Sequence, residues 1–243
     1  MKKSIADSYY MINLENLTHR RGSGQQSFTL DVPDLKISRG EIVALTGASG
    51  SGKSTMLEIL GLILKPYSME QFDIVGYNVS RYWHTGNNSR LAQLRAEHLG
   101  FVLQTGGLLP YLSVLDNITL SRTILGLKPT GSFVSEICHL LGIEHLLKRK
   151  PDQLSIGERQ RTAIARALAH KPKVLLADEP TAALDPYHAD QVMGLLIKLT
   201  QEFNLTSVIV THDWNRVKNM GIREIKTVCK YQKDNGTVSV LTG

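Results

Sequence analysis

EIVALTGASGSGKST, residues 41–55, joins a short apolar run to a glycine-rich turn and the start of a more polar segment. The run has the length and composition of a buried β-strand, and its last glycine opens the pattern G-x-x-x-x-G-K-[ST]. Glycines let successive backbone N–H groups turn inward around phosphate oxygens, and a following helix adds its positive dipole end. The stretch therefore predicts a strand, a phosphate-binding loop and a helix. The loop residues are Gly47, Ala48, Ser49, Gly50, Ser51, Gly52, Lys53, Ser54 and Thr55.

Two further apolar runs, KVLLADE at 173–179 and SVIVTHD at 207–213, also have the composition of buried strands and end in polar residues. Ligands of open parallel sheets bind beyond the carboxyl ends of the strands, so we expect the three strand exits to meet at one site. The pattern predicts an α/β fold with a parallel sheet. Between 104 and 153 it changes to helical segments broken by Gly and Pro, which predicts an inserted helical subdomain. The other predicted helices cover 53–64, 157–170 and 186–202.

Composition indicates a globular protein, with 42% hydrophobic and 21% charged residues in 243. The net charge of +6 favours an anionic partner, meaning nucleotide, nucleic acid or an acidic membrane face. Two cysteines suit a reducing cytosol. The longest apolar run, 56–64, contains Glu58 and is too short for a membrane span. Lys2 and Lys3 precede no sustained apolar stretch, so we expect no secretion signal.

The stretch VLLADEP, 174–180, places two carboxylates at the exit of a predicted strand. Asp178 is positioned to hold the shell of a Mg²⁺ ion, to which Ser54 would offer its hydroxyl, while Lys53 reaches the terminal phosphates. Glu179 is positioned to activate a water molecule, and such a base accelerates a reaction by about 10²–10⁴-fold. Taken alone, the pair would also suit a helix N-cap. With the loop, it predicts nucleotide hydrolysis.

Six elements in sequence order resemble the ATP-binding cassette (ABC) family over residues 11–220. They are the phosphate loop, Gln104 at the end of the strand FVLQ, LSIGERQR at 154–161, VLLADEP at 174–180, AALD at 182–185, and His212 at the end of VIVTH. The resemblance implies a P-loop NTPase (RecA-like) core, an N-terminal antiparallel β subdomain and a helical insert at about 104–154. All of these would belong to one ATP-binding domain over 1–243.

The resemblance also implies roles for residues outside the loop. Gln104 would sense the γ-phosphate and Mg²⁺, His212 would contact the γ-phosphate, and Asp185 would lie in the loop that joins two subunits. The catalytic set would be Lys53, Gln104, Glu179 and His212.

The segment LSIGERQR would complete the ATP site of a second copy arranged head to tail. Ser155, Gly157 and Glu158 would lie there, with Ser155 and the backbone of Gly157 on the γ-phosphate. The family's usual LSGGQ has Ile156 in place of its first glycine and Glu158 in place of glutamine. Ile156 reduces backbone freedom at a tight approach, which predicts slower or looser closure.

The family normally stacks adenine on an aromatic ring shortly before the first core strand. Here the matching region is THRRGSGQQSF, 18–28, and Arg21 falls near the expected position. A guanidinium plane stacks on a base, which makes Arg21 the first candidate. Phe28 is the nearest aromatic alternative.

Residues 95–120, RAEHLGFVLQTGGLLPYLSVLDNITL, resemble the ATPase subunits that serve lipoprotein-release, macrolide-export and cell-division membrane partners. The resemblance implies an ATP- and Mg²⁺-dependent ATPase that forms a dimer and drives a separate, integral membrane permease-type subunit. Residues 104–125 would form much of the docking groove. The chain would then be cytoplasmic and peripheral on the inner face of the cell membrane.

Two alternatives remain within the same family. A cassette ATPase that acts on nucleic acid or the ribosome would suit the net charge of +6, but such proteins carry two cassettes or long coiled coils, and this sequence has neither. We therefore expect no nucleic-acid partner. A regulatory cassette without hydrolysis is disfavoured because Lys53, Asp178, Glu179 and His212 are all present.

Overall fold

The computed structural model describes residues 9–23, 27–232 and 236–242. The chain divides into two compact units: residues 1–93 with 210–243, called the first unit, and residues 94–209, called the second unit. Residues 2 and 3, on which the expectation about secretion rests, lie outside the described residues, as do residues 24–26 of the segment 18–28.

The strands are β1 (Tyr10–Arg21), β2 (Phe28–Ser38), β3 (Ile42–Gly47), β4 (Gln71–Ile74), β5 (Tyr77–Asn78), β6 (Leu99–Val102), β7 (Val174–Asp178), β8 (Thr206–Val210), β9 (Arg223–Gln232) and β10 (Gly236–Thr242). The α-helices are α1 (Lys53–Leu60), α2 (Val79–His84), α3 (Asn88–His98), α4 (Val114–Ile124), α5 (Ser132–Leu140), α6 (Ile156–Leu168), α7 (Pro186–Glu202) and α8 (Trp214–Asn219). Two single-turn 3₁₀ helices cover Glu144–Leu146 and Pro151–Gln153.

The sheet of the first unit has the order β5-β4-β1-β2-β10-β9-β3. β1 pairs antiparallel with β2 and β4, as the predicted N-terminal β subdomain requires, whereas β3 runs parallel to β9. Alternate residues of β1 and β2 are buried, among them Ile12, Leu14, Leu30 and Val32. This period of two gives the hairpin one apolar face, which forms part of the core.

The second unit places β6, β7 and β8 side by side, and β6 runs parallel to β7. Residues Val174, Leu175, Leu176 and Ala177 of β7 are at most 1% exposed. A strand buried on both faces is the reason that its sequence is uniformly apolar rather than alternating. α6 packs on β6 and α4, and α4 and α5 occupy the segment that the sequence assigns to a helical insert.

The α/β fold class predicted from the sequence is confirmed, and the strands predicted at 41–47, 173–179 and 207–213 appear as β3, β7 and β8. The helix predicted over 53–64 ends earlier, at Leu60, because Gly61 caps it and Leu62 takes a left-handed backbone with φ of 56°. Gln104 does not end β6, which stops at Val102, but lies in the turn that follows. Within the ranges described, no helix combines the length and hydrophobicity needed to cross a bilayer.

Candidate functional site

The loop between β3 and α1 has the backbone of a phosphate cradle. Gly47, Gly50 and Gly52 have φ of 148°, 74° and 89°, values that residues with a Cβ adopt only at a cost. Gly52 is the N-cap of α1, no side chain caps the helix there, and its first turn holds no acidic residue. The dipole of α1 therefore favours an anionic ligand at this end of the helix.

Lys53 points its charge into this loop. The Nζ ammonium donates to the carbonyl oxygens of Gly47 at 3.0 Å and Ala48 at 2.9 Å, and the residue is only 5% exposed. A buried ammonium stabilises negative charge more strongly than an exposed one because little water screens it. Ser54, the next residue, is exposed at the second position of α1.

Thr227 of β9 supports the loop from behind. Its hydroxyl donates to the Thr46 carbonyl at 2.7 Å and lies 2.7 Å from the hydroxyl of the fully buried Ser51. A Cβ on Gly47 would lie 2.1 Å from the Thr227 hydroxyl oxygen, so only glycine fits there. No sequence motif gives a signal for this contact, because Thr227 lies beyond the motifs, in a strand that was not predicted.

The two candidates for adenine stacking lie opposite each other across the hairpin, since Arg21 pairs with Phe28 in the β1–β2 register. Phe28 also packs on the phosphate loop, because a Cβ on Gly52 would lie 2.6 Å from the Phe28 Cζ atom. Arg21 is exposed, and Phe28 is partly exposed. Both side chains therefore lie at the same end of the hairpin. Which of the two stacks on adenine stays a prediction.

His212 directly follows Thr211, whose backbone is hydrogen-bonded to β3. The N–H of Thr211 donates to the Leu45 carbonyl at 3.2 Å, and Leu45 stands two residues before Gly47. The exposed His212 therefore follows the part of the first unit that carries the phosphate loop. This placement is compatible with the predicted contact to a γ-phosphate.

In the second unit, the parallel register brings Gln104 and the two carboxylates to one edge of the sheet. Val102 of β6 stands opposite Ala177 of β7. Gln104 follows two residues after Val102, and Asp178 and Glu179 follow directly after Ala177. Carboxylate and amide oxygens, together with phosphate oxygens, are ligands that Mg²⁺ accepts. Among the described residues, no three His, Cys, Asp or Glu side chains form a metal cluster of their own.

Glu179 has a backbone that its side chain disfavours. Its φ is 44°, in the left-handed region, and its carbonyl accepts the N–H of Ala182 at 3.1 Å in the turn that follows β7. A residue with a Cβ in this region costs about 1–3 kcal/mol, and such strain is concentrated at functional sites. The sequence does not reveal this conformation, because nothing in ADEP distinguishes it from an ordinary turn.

Ser155 is the N-cap of α6, the helix that begins within LSIGERQR. Its hydroxyl accepts the Glu158 N–H at 3.2 Å, and the Glu158 carboxylate accepts the Ser155 N–H at 2.7 Å. This capping box lowers the pKa of Glu158, chiefly through the bond from the Ser155 backbone. The Ser155 hydroxyl also lowers this pKa, because it hydrogen-bonds the same carboxylate. Ser155 and Ile156 are exposed, and Gly157 is partly exposed.

Asp185 caps α7 in the same manner. Its carboxylate accepts the His188 N–H at 3.2 Å and lies 2.6 Å from the His188 Nδ1 atom. These bonds to His188 lower the pKa of Asp185, so the carboxylate is ionised at neutral pH. An exposed, ionised group at a helix start is available for contact with another chain.

The predicted site residues thus fall into two groups, one in each unit. The first unit holds the loop 47–55, Arg21 and His212, and the second holds Gln104, Asp178, Glu179, Asp185 and residues 155–158. The expectation that all three strand exits meet at one site joins residues of both units and stays a prediction.

Comparisons with known proteins identify the family. The family model described as ABC transporter matches residues 30–182. The lipoprotein-releasing system ATP-binding protein LolD of Idiomarina loihiensis is 42% identical over 200 residues, which cover 81% of this chain and 84% of that protein. The macrolide export ATP-binding/permease protein MacB of Vibrio parahaemolyticus is 41% identical over 89% of this chain but only 32% of its own length. The dimeric structure of MJ0796, a bacterial ABC transporter cassette, aligns with a TM-score of 0.77 at 36% identity, covering 89% of this chain and 94% of that one.

Proposed function

Because this chain belongs to the ABC transporter family and is an ATP-binding ATPase of that family, we propose that it closes as a head-to-tail dimer over two ATP molecules to drive a separate membrane subunit of the lipoprotein-release type. The observation that carries the proposal is the phosphate loop, in which glycines, an uncapped helix start and the buried Lys53 ammonium form one anion site. The relatives support a transporter and not a cassette that acts on nucleic acid or the ribosome.

We assign roles within the ATP site from the chemistry of each residue. The loop N–H groups and Lys53 hold the phosphates, while Glu179 holds the attacking water and takes its proton. His212 contacts the γ-phosphate, and Gln104 senses it. Either Arg21 or Phe28 stacks on adenine. The family membership supports these assignments, and the geometry of each unit is compatible with them.

Mg²⁺ is the metal that suits the available donors. Ser54 supplies a hydroxyl, Gln104 an amide oxygen and Asp178 a carboxylate, all of them hard oxygen ligands. When bound, the ion would neutralise charge on the phosphate oxygens.

The second copy would use the exposed start of α6. The Ser155 hydroxyl lies at the N-cap of α6, and the backbone N–H of Gly157 lies in the first turn of the helix. We infer that both face the γ-phosphate bound by the other copy, with Glu158 beside them. Asp185 would lie along the same dimer contact. MJ0796, which forms a dimer of cassettes, supports this arrangement.

Complementation tests the shared site. One chain carries Lys53→Ala and the other Ser155→Arg, so that each homodimer is inactive. In a mixed dimer, head-to-tail sharing leaves one intact site and one doubly altered site, and hydrolysis returns in part. If each chain used its own Ser155, both sites would carry a defect and mixing would restore nothing. As a check independent of turnover, cysteines at Ser49 and Gly157 should crosslink between copies when ATP is added to the Glu179→Gln protein.

The membrane partner is tested separately. We propose that the chain is cytoplasmic and bound to the inner face of the cell membrane through an integral membrane permease-type subunit, with residues 104–125 in the contact. Tyr111, 69% exposed, is the most accessible apolar side chain of the loop after Gln104. A tagged chain should copurify with such a subunit from detergent extracts, and Tyr111→Asp should weaken the capture. If the Tyr111→Asp chain stayed bound to membranes, the contact with the membrane subunit would lie elsewhere on the chain.

A further inference from the structure

The loop after Gln104 is attached to α6 by a single side chain with two hydrogen bonds. Arg166 lies on α6, eleven residues after the N-cap Ser155. Its guanidinium donates to the carbonyl of Gly107 at 2.7 Å and to the carbonyl of Gly106 at 2.8 Å. Two parallel N–H groups from one planar fork fix the direction of both carbonyls, which a single ammonium cannot do.

The two glycines direct their carbonyls toward Arg166 through a backbone conformation that residues with a Cβ rarely adopt. Gly106 and Gly107 have φ of 74° and 58°, so two successive residues are left-handed. A Cβ on Gly107 would lie 2.9 Å from the Leu103 Cδ1 atom. This turn, which begins two residues after Gln104, thus directs both carbonyls toward Arg166. The guanidinium is partly withdrawn from water, and this burial lowers its pKa while leaving it charged.

The other end of the same loop is attached to a different helix. The fully buried Asn117 of α4 accepts the N–H of Leu109 at 2.7 Å and donates to the carbonyls of Leu109 at 3.0 Å, Leu112 at 3.3 Å and Ser113 at 3.0 Å. Loop residues 109–113 are therefore held by α4. Residues 106–107, just after Gln104, are held by α6 instead.

From this division we infer that Arg166 is a positioning residue, which links the helix carrying Ser155 to the loop carrying Gln104 so that the two move together. The inference depends on the proposed roles of Gln104 and Ser155 for its effect on turnover, but not for its effect on the loop. A movement of α6 on contact with a second copy would then be transmitted to Gln104, and a movement of the loop on contact with a membrane subunit would be transmitted to α6.

A matched pair of arginine variants tests the inference. Arg166→Lys keeps the charge but loses the two-pronged contact. Arg223→Lys is the control, because the Arg223 guanidinium in the first unit also makes two hydrogen bonds, to the Glu41 carboxylate at 2.6 Å and to the Lys36 carbonyl at 2.8 Å, and Arg223 lies outside residues 104–125. Gly106→Ala is a second variant that strains the turn from the other side; its Cβ has room, with the nearest atom at 3.6 Å.

Hydrogen exchange on the full-length protein is the first measurement. We expect amides in 103–108 to exchange about tenfold faster or more in Arg166→Lys and Gly106→Ala, because hydrogen bonds from a charged donor are worth at least that factor. Amides in 113–120 should exchange at the parental rate, and Arg223→Lys should leave exchange in the loop unchanged. Unchanged exchange in 103–108 for both loop variants would overturn the inference.

ATP turnover is the second measurement, made well below the unfolding temperature. Arg166→Lys should lower kcat about tenfold or more while the KM for ATP stays within about twofold, since positioning acts on the reaction step rather than on binding. Arg223→Lys should retain parental kcat. Faster loop exchange with parental kcat would overturn the positioning role. If the unmodified protein itself hydrolysed no ATP, the proposed function would be contradicted. The hydrogen-exchange result would still test whether Arg166 holds the Gln104 loop on α6.

Discussion

Replacement of Glu179 by glycine is expected to give a more stable protein than replacement by alanine, while both changes stop hydrolysis. The left-handed φ of 44° is unfavourable for any side chain with a Cβ, by about 1–2 kcal/mol. Glycine removes this cost but adds freedom to the unfolded chain, which costs about 0.4–1 kcal/mol. Relative to Glu179→Ala, which lacks the carboxylate but keeps the Cβ, we therefore expect Glu179→Gly to be more stable by about 1 kcal/mol.

Thermal unfolding of the alanine and glycine variants measures the difference. In a chain of 243 residues, 1 kcal/mol corresponds to a Tm shift of about 2–4 °C, so the glycine variant should unfold at the higher temperature. Glu136, exposed within α5, is the matched control. There the helical backbone suits alanine, and Glu136→Gly should be less stable than Glu136→Ala by about 1 kcal/mol. Equal or lower stability of Glu179→Gly would refute the argument from backbone strain.

Turnover separates strain from chemistry at the same position. Glu179→Gln, Glu179→Ala and Glu179→Gly all lack the carboxylate base and should hydrolyse ATP at least about 10²-fold more slowly than the parent. ATP affinity should be retained, because the phosphate loop is untouched. Turnover of Glu179→Gln within a few-fold of the parent would show that another group activates the water, whatever the stabilities are.

Three further predictions concern base stacking and the start of α6. Arg21→Ala should weaken ATP binding more than inorganic triphosphate binding if Arg21 stacks on adenine; if Phe28→Ala alone shows that selectivity in calorimetry, Phe28 is the stacking residue. Glu158→Gln should cost less than about 1 kcal/mol of stability near pH 7, because the pair is close to solvent. Folding lowers the pKa of Glu158 from its ordinary value of 4.5, so the ionised carboxylate stabilises the fold above pH 4.5 and this stabilisation disappears as the pH falls through the folded pKa. The denaturation curves of Glu158→Gln and the parent should therefore converge in acid. A stability difference that stays the same in acid would contradict the capping role. Ile156→Gly should increase ATP-dependent dimerisation, measured by light scattering in the Glu179→Gln background, because it removes a side chain that is 49% exposed and restores backbone freedom; weaker dimerisation would show that Ile156 contributes contact area.

The sequence alone determined the features that depend on neighbouring residues. β3, β7 and β8 were predictable because strands buried on both faces require short, uniformly apolar runs. The phosphate loop was predictable because its backbone needs glycines at particular positions between a strand and a helix. The helix predicted over 157–170 appears as α6, Ile156–Leu168, and its start depends on reciprocal bonds between Ser155 and Glu158, only three residues apart.

Tertiary structure alone decided the contacts between residues that are distant along the chain. Ser51 and Thr227 are 176 residues apart, and Arg166 lies 60 residues from Gly106, so no local pattern relates them. The left-handed backbone of Glu179 is likewise absent from local preference, since glutamate favours a helix. In each case the free energy of packing and of hydrogen bonds to distant groups exceeds the local preference of the residue. For this reason the residues expected to contact ATP follow from motifs, whereas the residues that hold the phosphate loop and the Gln104 turn in position follow only from the folded chain.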